Sequence, residues 1–148
     1  MAFMLKEGDD APAFSALNQD GNEVSLKDFM GKWLFLYFYP KDFTSGCTTE
    51  ACQLRDNFNE LQKMVEVVGV SSDSVKSHAK FAEKHSLPFT LLADPKRELI
   101  KTYGVGIGPL TKRVSFLINP EAKIVKIYNK VDPKTHATQI IADLNKLQ

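Results

Sequence analysis

Two stretches of this chain are apolar on both faces. Residues 32–39, KWLFLYFY, and 65–72, VEVVGVSS, lack the alternation of a half-exposed strand, so each is expected to be a central strand covered on both sides. FTLLAD at 89–94 reads as a further strand, as do RVSFLI at 113–118 and KIVKIY at 123–128, which flank the turn Asn119-Pro120-Glu121-Ala122. Elsewhere the period is helical. Apolar residues at 51, 54, 58 and 61 form an i, i+3, i+7, i+10 stripe, which predicts a helix running from about Cys47 to Met64. Ser72 or Asp73 is expected to cap a second helix that ends at His85, with Val75, His78, Ala79 and Ala82 on one face. Pro95 fits the first turn of a helix to Tyr103, and Pro133 opens a last helix to Leu147.

Near the start, FSALNQDGNEVSL at 14–26 reads as two short strands around Asn18-Gln19-Asp20-Gly21, with a glycine available for positive φ. Ser25 with Asp28 predicts a short capped helix from Leu26 to Met30, ended by Gly31. Two-sided strands alternating with helices, then a hairpin and a helix, indicate an α/β fold. Its expected form is a mixed central sheet flanked by helices, with an N-terminal β-hairpin.

Composition narrows the class. The 148 residues suit one domain spanning 1–148, and 43% hydrophobic with 25% charged residues is ordinary for a globular protein. A net charge of +1 offers no electrostatic case for nucleic acid or anionic membrane. The opening MAFMLKEGDDAPAF has no basic segment followed by an apolar core, and WLFLYFY is too short to cross a bilayer. The expectation is a cytoplasmic protein whose thiols stay reduced unless they have redox work to do.

Only two cysteines occur, both inside YPKDFTSGCTTEAC at 39–52, in C-x4-C spacing. They could form a structural disulfide, half a metal site or a redox couple. Cys47 falls at a strand–loop–helix junction, where ligands of open α/β sheets bind. There the unpaired N–H groups and the dipole of the helix start favour the thiolate, which is the nucleophile. Within a helix, five residues separate two Cα atoms by roughly 8.7 Å, whereas a disulfide needs about 4.4–6.8 Å. The two thiols therefore cannot join while the helix is intact, which disfavours a permanent bridge. The threonines in TTEAC give it modest helix propensity, so opening is inexpensive. The alternative for each cysteine is a buried apolar residue.

Metal and cofactor readings find little support. His78, His85 and His136 show no H-x3–5-H pairing, and His78 and His85 are expected at the surface or its boundary. No thioredoxin-type C-x-x-C, G-x-G-x-x-G or phosphate loop occurs; GVGIGP at 104–109 follows a helix and reads as a loop. No metal, flavin or nicotinamide is expected.

Pro40, Thr44 and Cys47 give P-x3-T-x2-C, and PKDFTSGCTTEAC with RVSFLINP downstream closely resembles the peroxiredoxins. The resemblance is nearest to the peroxiredoxin Q group, also called bacterioferritin comigratory protein, and runs over essentially the whole chain. It implies a thioredoxin-like fold and thiol-dependent reduction of hydrogen peroxide and organic hydroperoxides. By that resemblance Cys47 is the peroxidatic cysteine, Cys52 the resolving one within the same chain, and Arg113 the arginine beside the sulfur. Pro40 and Thr44 complete the motif, Glu50 matches the acidic residue that holds the arginine, and Gly46 gives slack for the turn into the helix. The implied partners are a hydroperoxide and a thioredoxin- or glutaredoxin-type reductant, and the implied assembly is a monomer or weak dimer. Ser45 departs from the family, where many members have proline. A disulfide reductase or isomerase, and a redox-sensing binding domain, are the competing functions.

Overall fold

The computed structural model describes residues 5–148; the reading of the N-terminus as leaderless falls partly on residues 1–4, outside the described residues. The N-terminal hairpin is β1 (Ser15–Asn18) and β2 (Glu23–Ser25), paired Ser15 to Ser25. Asn18 Oδ1 accepts from the backbone N–H groups of Asp20 and Asn22, and Gly21 takes φ +80° to close the turn. The short helix that follows is a 3₁₀ turn, Leu26–Phe29, closed by the Ser25–Asp28 capping box.

The two-sided strands stand at the centre, as their composition requires. β3 (Leu34–Phe38), β4 (Glu66–Ser71) and β5 (Thr90–Ala93) run parallel, while β8 (Val114–Ile118) and β9 (Ile124–Tyr128) add antiparallel neighbours. The seven-stranded mixed sheet has the order β2-β1-β5-β4-β3-β8-β9. Alternate residues of β3 and the following Tyr39 feed separate cores. Phe35, Tyr37 and Tyr39 pack with α1 (Ser45–Asp56), α3 (Val75–His85) and α5 (His136–Leu147). Leu34, Leu36 and Phe38 pack with Phe14 and with α4 (Glu98–Thr102) on the other face.

Several boundaries differ from the sequence expectation. The stripe through residues 51, 54, 58 and 61 spans two helices, α1 and α2 (Phe58–Leu61), broken at Asn57. The cap of α3 is Ser74, whose Oγ accepts from Ser77 N–H, rather than Ser72 or Asp73; the Asp73 carboxylate accepts instead from Asp42 N–H and Ser71 Oγ. Helix α4 starts at Glu98 rather than at Pro95, since the Asp94 carboxylate reaches past the intervening turn to cap Glu98 and Ile100 N–H. Likewise α5 starts at His136, after a turn that contains Pro133. The GVGIGP segment forms part of a small hairpin, β6 (Gly106–Ile107) with β7 (Leu110–Thr111), turned by Gly108 at φ +57°.

Gly69 of β4 lies opposite Tyr37, and a Cβ there would sit 2.7 Å from the ring's Cζ. The central strand therefore uses glycine to admit an aromatic ring beneath the site described next. Gly69→Ala is expected to destabilise the fold by about 1–3 kcal/mol through displacement of that ring. A urea midpoint equal to wild type would show that the ring moves freely.

Candidate active site

Strand β3 delivers the chain through residues 39–44 to the start of α1, and Cys47 lies in the first turn, 2% exposed. Pairing of Phe38 with Val114 brings the preceding residue, Arg113, to that same sheet end. Arg113 Nη2 donates to Cys47 Sγ at 3.3 Å, and its Nη1 donates to Glu50 Oε1 at 2.7 Å. Glu50 follows Cys47 by three residues on one helix face, so a single planar guanidinium reaches both. Cys47, Glu50 and Arg113 thus converge, although Arg113 precedes β8 rather than lying within it.

Burial sets the charge balance. Removal from water pushes the Glu50 carboxyl up to about 7 against the pull of Arg113. Burial lowers the Arg113 guanidinium, but Glu50 and Cys47 together raise it above arginine's ordinary value, so it stays charged. Tyr37, beneath them, is raised well above its usual value by burial first and then by Glu50 and Cys47; it is a neutral phenol. Its hydroxyl and Glu50 Oε2 are buried without a hydrogen-bond partner among the described residues.

Gly46 serves the guanidinium more than the turn. It sits inside α1 without a positive φ, and a Cβ on it would lie 3.0 Å from Arg113 Nη2. Any side chain there would press on the arginine. Thr44 is the N-cap residue, but its hydroxyl donates to Lys41 C=O at 2.7 Å and caps no helix N–H. Pro40 is exposed at the start of the loop.

A buried network that the sequence reading missed holds this loop. Asp42, 3% exposed, accepts from Tyr39 Oη at 2.6 Å and Ser77 Oγ at 2.8 Å, and its Oδ2 lies 2.7 Å from His78 Nδ1. His78 Nε2 bonds Leu92 C=O, while Asp73 accepts from Asp42 N–H and Ser71 Oγ. His78 is therefore fully buried rather than at the surface, because Asp42 supplies the partner that a buried imidazole needs. Its place on the apolar stripe of α3 was the available signal. Asp42, Asp73 and His78 are the one group among the described residues whose ligand-type atoms lie within 4.8 Å of one another, yet each is already engaged in these bonds. The clamp leaves Phe43 at φ +66°, an uncommon conformation for a bulky residue.

Cys52 lies five residues further along the intact helix; both thiols are free. It is half-buried, with Sγ 3.8 Å from His85 Nδ1. His85 lies at the boundary, as expected.

Residues 7–127 match the AhpC/TSA family. A protein of Haemophilus influenzae described as a putative peroxiredoxin bcp is 43% identical, covering 97% of this chain and 98% of that protein. Peroxiredoxin Bcp of Bacillus subtilis is 38% identical, covering 97% of each. Among solved structures, a cysteine-to-serine mutant of Xylella fastidiosa PrxQ superposes with a TM-score of 0.91 at 30% identity, covering 99% of both chains. The fold is thioredoxin-like, and no helix among the described residues is long and apolar enough to cross a membrane. The chain belongs to the AhpC/TSA family and is a peroxiredoxin, a thiol peroxidase of the Bcp and peroxiredoxin Q kind.

Proposed function

We propose that residues 1–148 act as one cytoplasmic domain, a two-cysteine peroxidase in which Cys47 attacks the peroxide and Cys52 resolves the product within the chain. The observation that carries this reading is the buried Cys47 sulfur 3.3 Å from a guanidinium that Glu50 anchors. The Cys47 thiolate attacks the terminal peroxide oxygen in line with the O–O bond. The S–O bond forms, the O–O bond breaks, and hydroxide or alkoxide leaves with the electron pair. Charge grows on both oxygens as the bond stretches, and fixed donors lower that barrier. Arg113 and the Cys47 backbone N–H supply two donors. Thr44 supplies a third by exchanging its bond to Lys41 C=O for the substrate. Pro40 covers the sulfenic acid against a second peroxide.

Resolution needs motion. Both cysteines lie in one intact helix, where Cα atoms five residues apart are roughly 8.7 Å from each other, beyond disulfide reach. The first turns of α1 unwind, Cys52 attacks the sulfenic sulfur, and water leaves. A thioredoxin- or glutaredoxin-type dithiol then reduces the disulfide by exchange, and the protein works as a monomer or weak dimer. Reduction of hydrogen peroxide and organic hydroperoxides serves antioxidant defence.

Cys47→Ser is expected to abolish peroxide consumption, whereas Cys52→Ser completes one turnover and accumulates sulfenic acid. Intact mass after one equivalent of peroxide is expected to fall by about 2 Da within the monomer as two thiol hydrogens are lost; a covalent dimer would place resolution between chains, and full turnover by Cys47→Ser would sink the assignment.

Arg113→Lys loses the fork that contacts Cys47 and Glu50 together, so kcat/KM for peroxide is expected to drop roughly a hundredfold. A loss of less than about threefold would show that the charge alone suffices.

Glu50 makes stability depend on pH. A carboxyl held above its usual 4.5, at about 7, binds its proton more tightly in the folded chain. Its contribution is complete below about 4.5 and is lost as pH rises through about 7. Across that window wild type is expected to lose up to about 3 kcal/mol relative to Glu50→Gln in urea melts. Parallel stability curves for the two proteins would remove the buried carboxyl from the titration.

A further inference from the structure

Resolution needs a second nucleophile, and the chemistry so far leaves Cys52 without a base. A thiol attacks slowly until its proton is taken. In the structure Cys52 Sγ lies 3.8 Å from His85 Nδ1, at the C-terminal end of α3. The contact fits an S–H donating to a neutral imidazole nitrogen.

The surroundings keep the pair together while the other end of the helix opens. Arg55, one turn beyond Cys52, donates from Nη1 to the His85 carbonyl at 2.8 Å and so ties α1 to α3. Leu54 beside it is fully buried. The start of α1 is held by Arg113 through Cys47 Sγ and Glu50 Oε1, but its backbone is poorly capped: Thr44 makes no side-chain cap bond, no acidic residue occupies the first turn, and Ser45 and Gly46 are poor helix formers. Once the Arg113 contact to Cys47 is released, the uncapped first turn unwinds toward a Cys52 that Arg55 keeps beside His85. The imidazole itself is fixed by aromatic walls, with Phe81 5.2 Å and Phe43 6.5 Å away by ring centroid.

We propose that His85 is the general base and acid of the resolving step. This rests on the reading of Cys52 as the resolving cysteine. The Cys52 S–H bond breaks and its proton passes to His85 Nδ1. The thiolate pair attacks Cys47 sulfur, an S–S bond forms, and the sulfenic S–O bond breaks. The departing hydroxide takes the proton back from His85 and leaves as water. Cys52 sulfur is oxidised, Cys47 sulfur is reduced from sulfenic acid, and nothing else is consumed.

Arg55 on α1, bonded to Asp56, reaches the His85 carbonyl, and Lys84, next to His85 on α3, has its Nζ 5.9 Å from the Phe43 ring centroid. Arg55 presents positive charge toward Cys52 and so supports the thiolate, leaving proton removal to His85.

The test is a single turnover with one equivalent of hydrogen peroxide, with the sulfenic acid trapped by dimedone at timed intervals. In His85→Gln, peroxide consumption is expected at the wild-type rate, and the sulfenic acid is expected to last at least roughly tenfold longer. In His85→Ala, added imidazole is expected to restore fast disulfide formation; wild type is expected to ignore it. The pH profile of resolution should also differ between wild type and His85→Gln, because the variant lacks the proposed base. This pH comparison decides the matter even where the alanine variant does not fold. Disulfide formation in His85→Gln within about twofold of wild type overturns the proposal. So does slow resolution in His85→Ala that imidazole leaves unchanged, since that assigns His85 a packing role. Wild type that forms no intrachain disulfide refutes the Cys52 reading itself, a separate failure visible in the mass.

Discussion

The guanidinium of Arg113 is the constraint on which the site depends. It stands between a buried thiol and a buried carboxyl, and it is the cation that contacts both. Without it, ionised Cys47 and Glu50 would be two negative charges in a low-dielectric pocket, each paying several kcal/mol of desolvation. The neighbourhood is built around that need. Val114 pairs with Phe38 so that Arg113 arrives where α1 begins, and Gly46 carries no side chain that would press on it. Tyr37 beneath is kept neutral by burial and by the same acids.

A second constraint acts on the loop. The Tyr39–Asp42–His78 network is almost fully desolvated and fixes residues 39–44 from one side, while Cys47 and Arg113 fix the helix start from the other. The positive φ of Phe43 is the visible cost. Helix α1 then meets two opposed demands. Its first turn is formed and holds Cys47 against Arg113, yet the proposed resolution requires it to open for the two sulfurs to meet. Its two ends are held differently: Leu54 is buried and Arg55 bonds the His85 carbonyl, while the start is tied through Cys47 and Glu50 to Arg113 and has no side-chain cap at Thr44.

How much of this was legible depended on range. KWLFLYFY and VEVVGVSS read as central strands because a segment buried on both faces needs no partner to be recognised. The N-terminal hairpin was equally local, written in Asn18 and Gly21. Cys47, Thr44, Arg113 and Glu50 were named through the motif, and three of them converge. Non-local partners hid the rest. His78 was misread because Asp42, 36 residues away in sequence, decides whether that imidazole is buried. Asp94 moved the start of α4 past Pro95, and Asp73 left the capping of α3 to Ser74.

By itself the sequence determined the central strands, the N-terminal hairpin, the strand–loop–helix junction that carries Cys47, and the C-x4-C spacing that forbids a bond within an intact helix. These follow from periodicity, capping and helical geometry, each of which acts over a few residues. Only the tertiary structure decided that one guanidinium serves both Cys47 and Glu50, that Gly46 clears space for it, and that His85 waits beside Cys52. Those facts are distances between segments dozens of residues apart, set by sheet register and helix packing, and no local pattern encodes them.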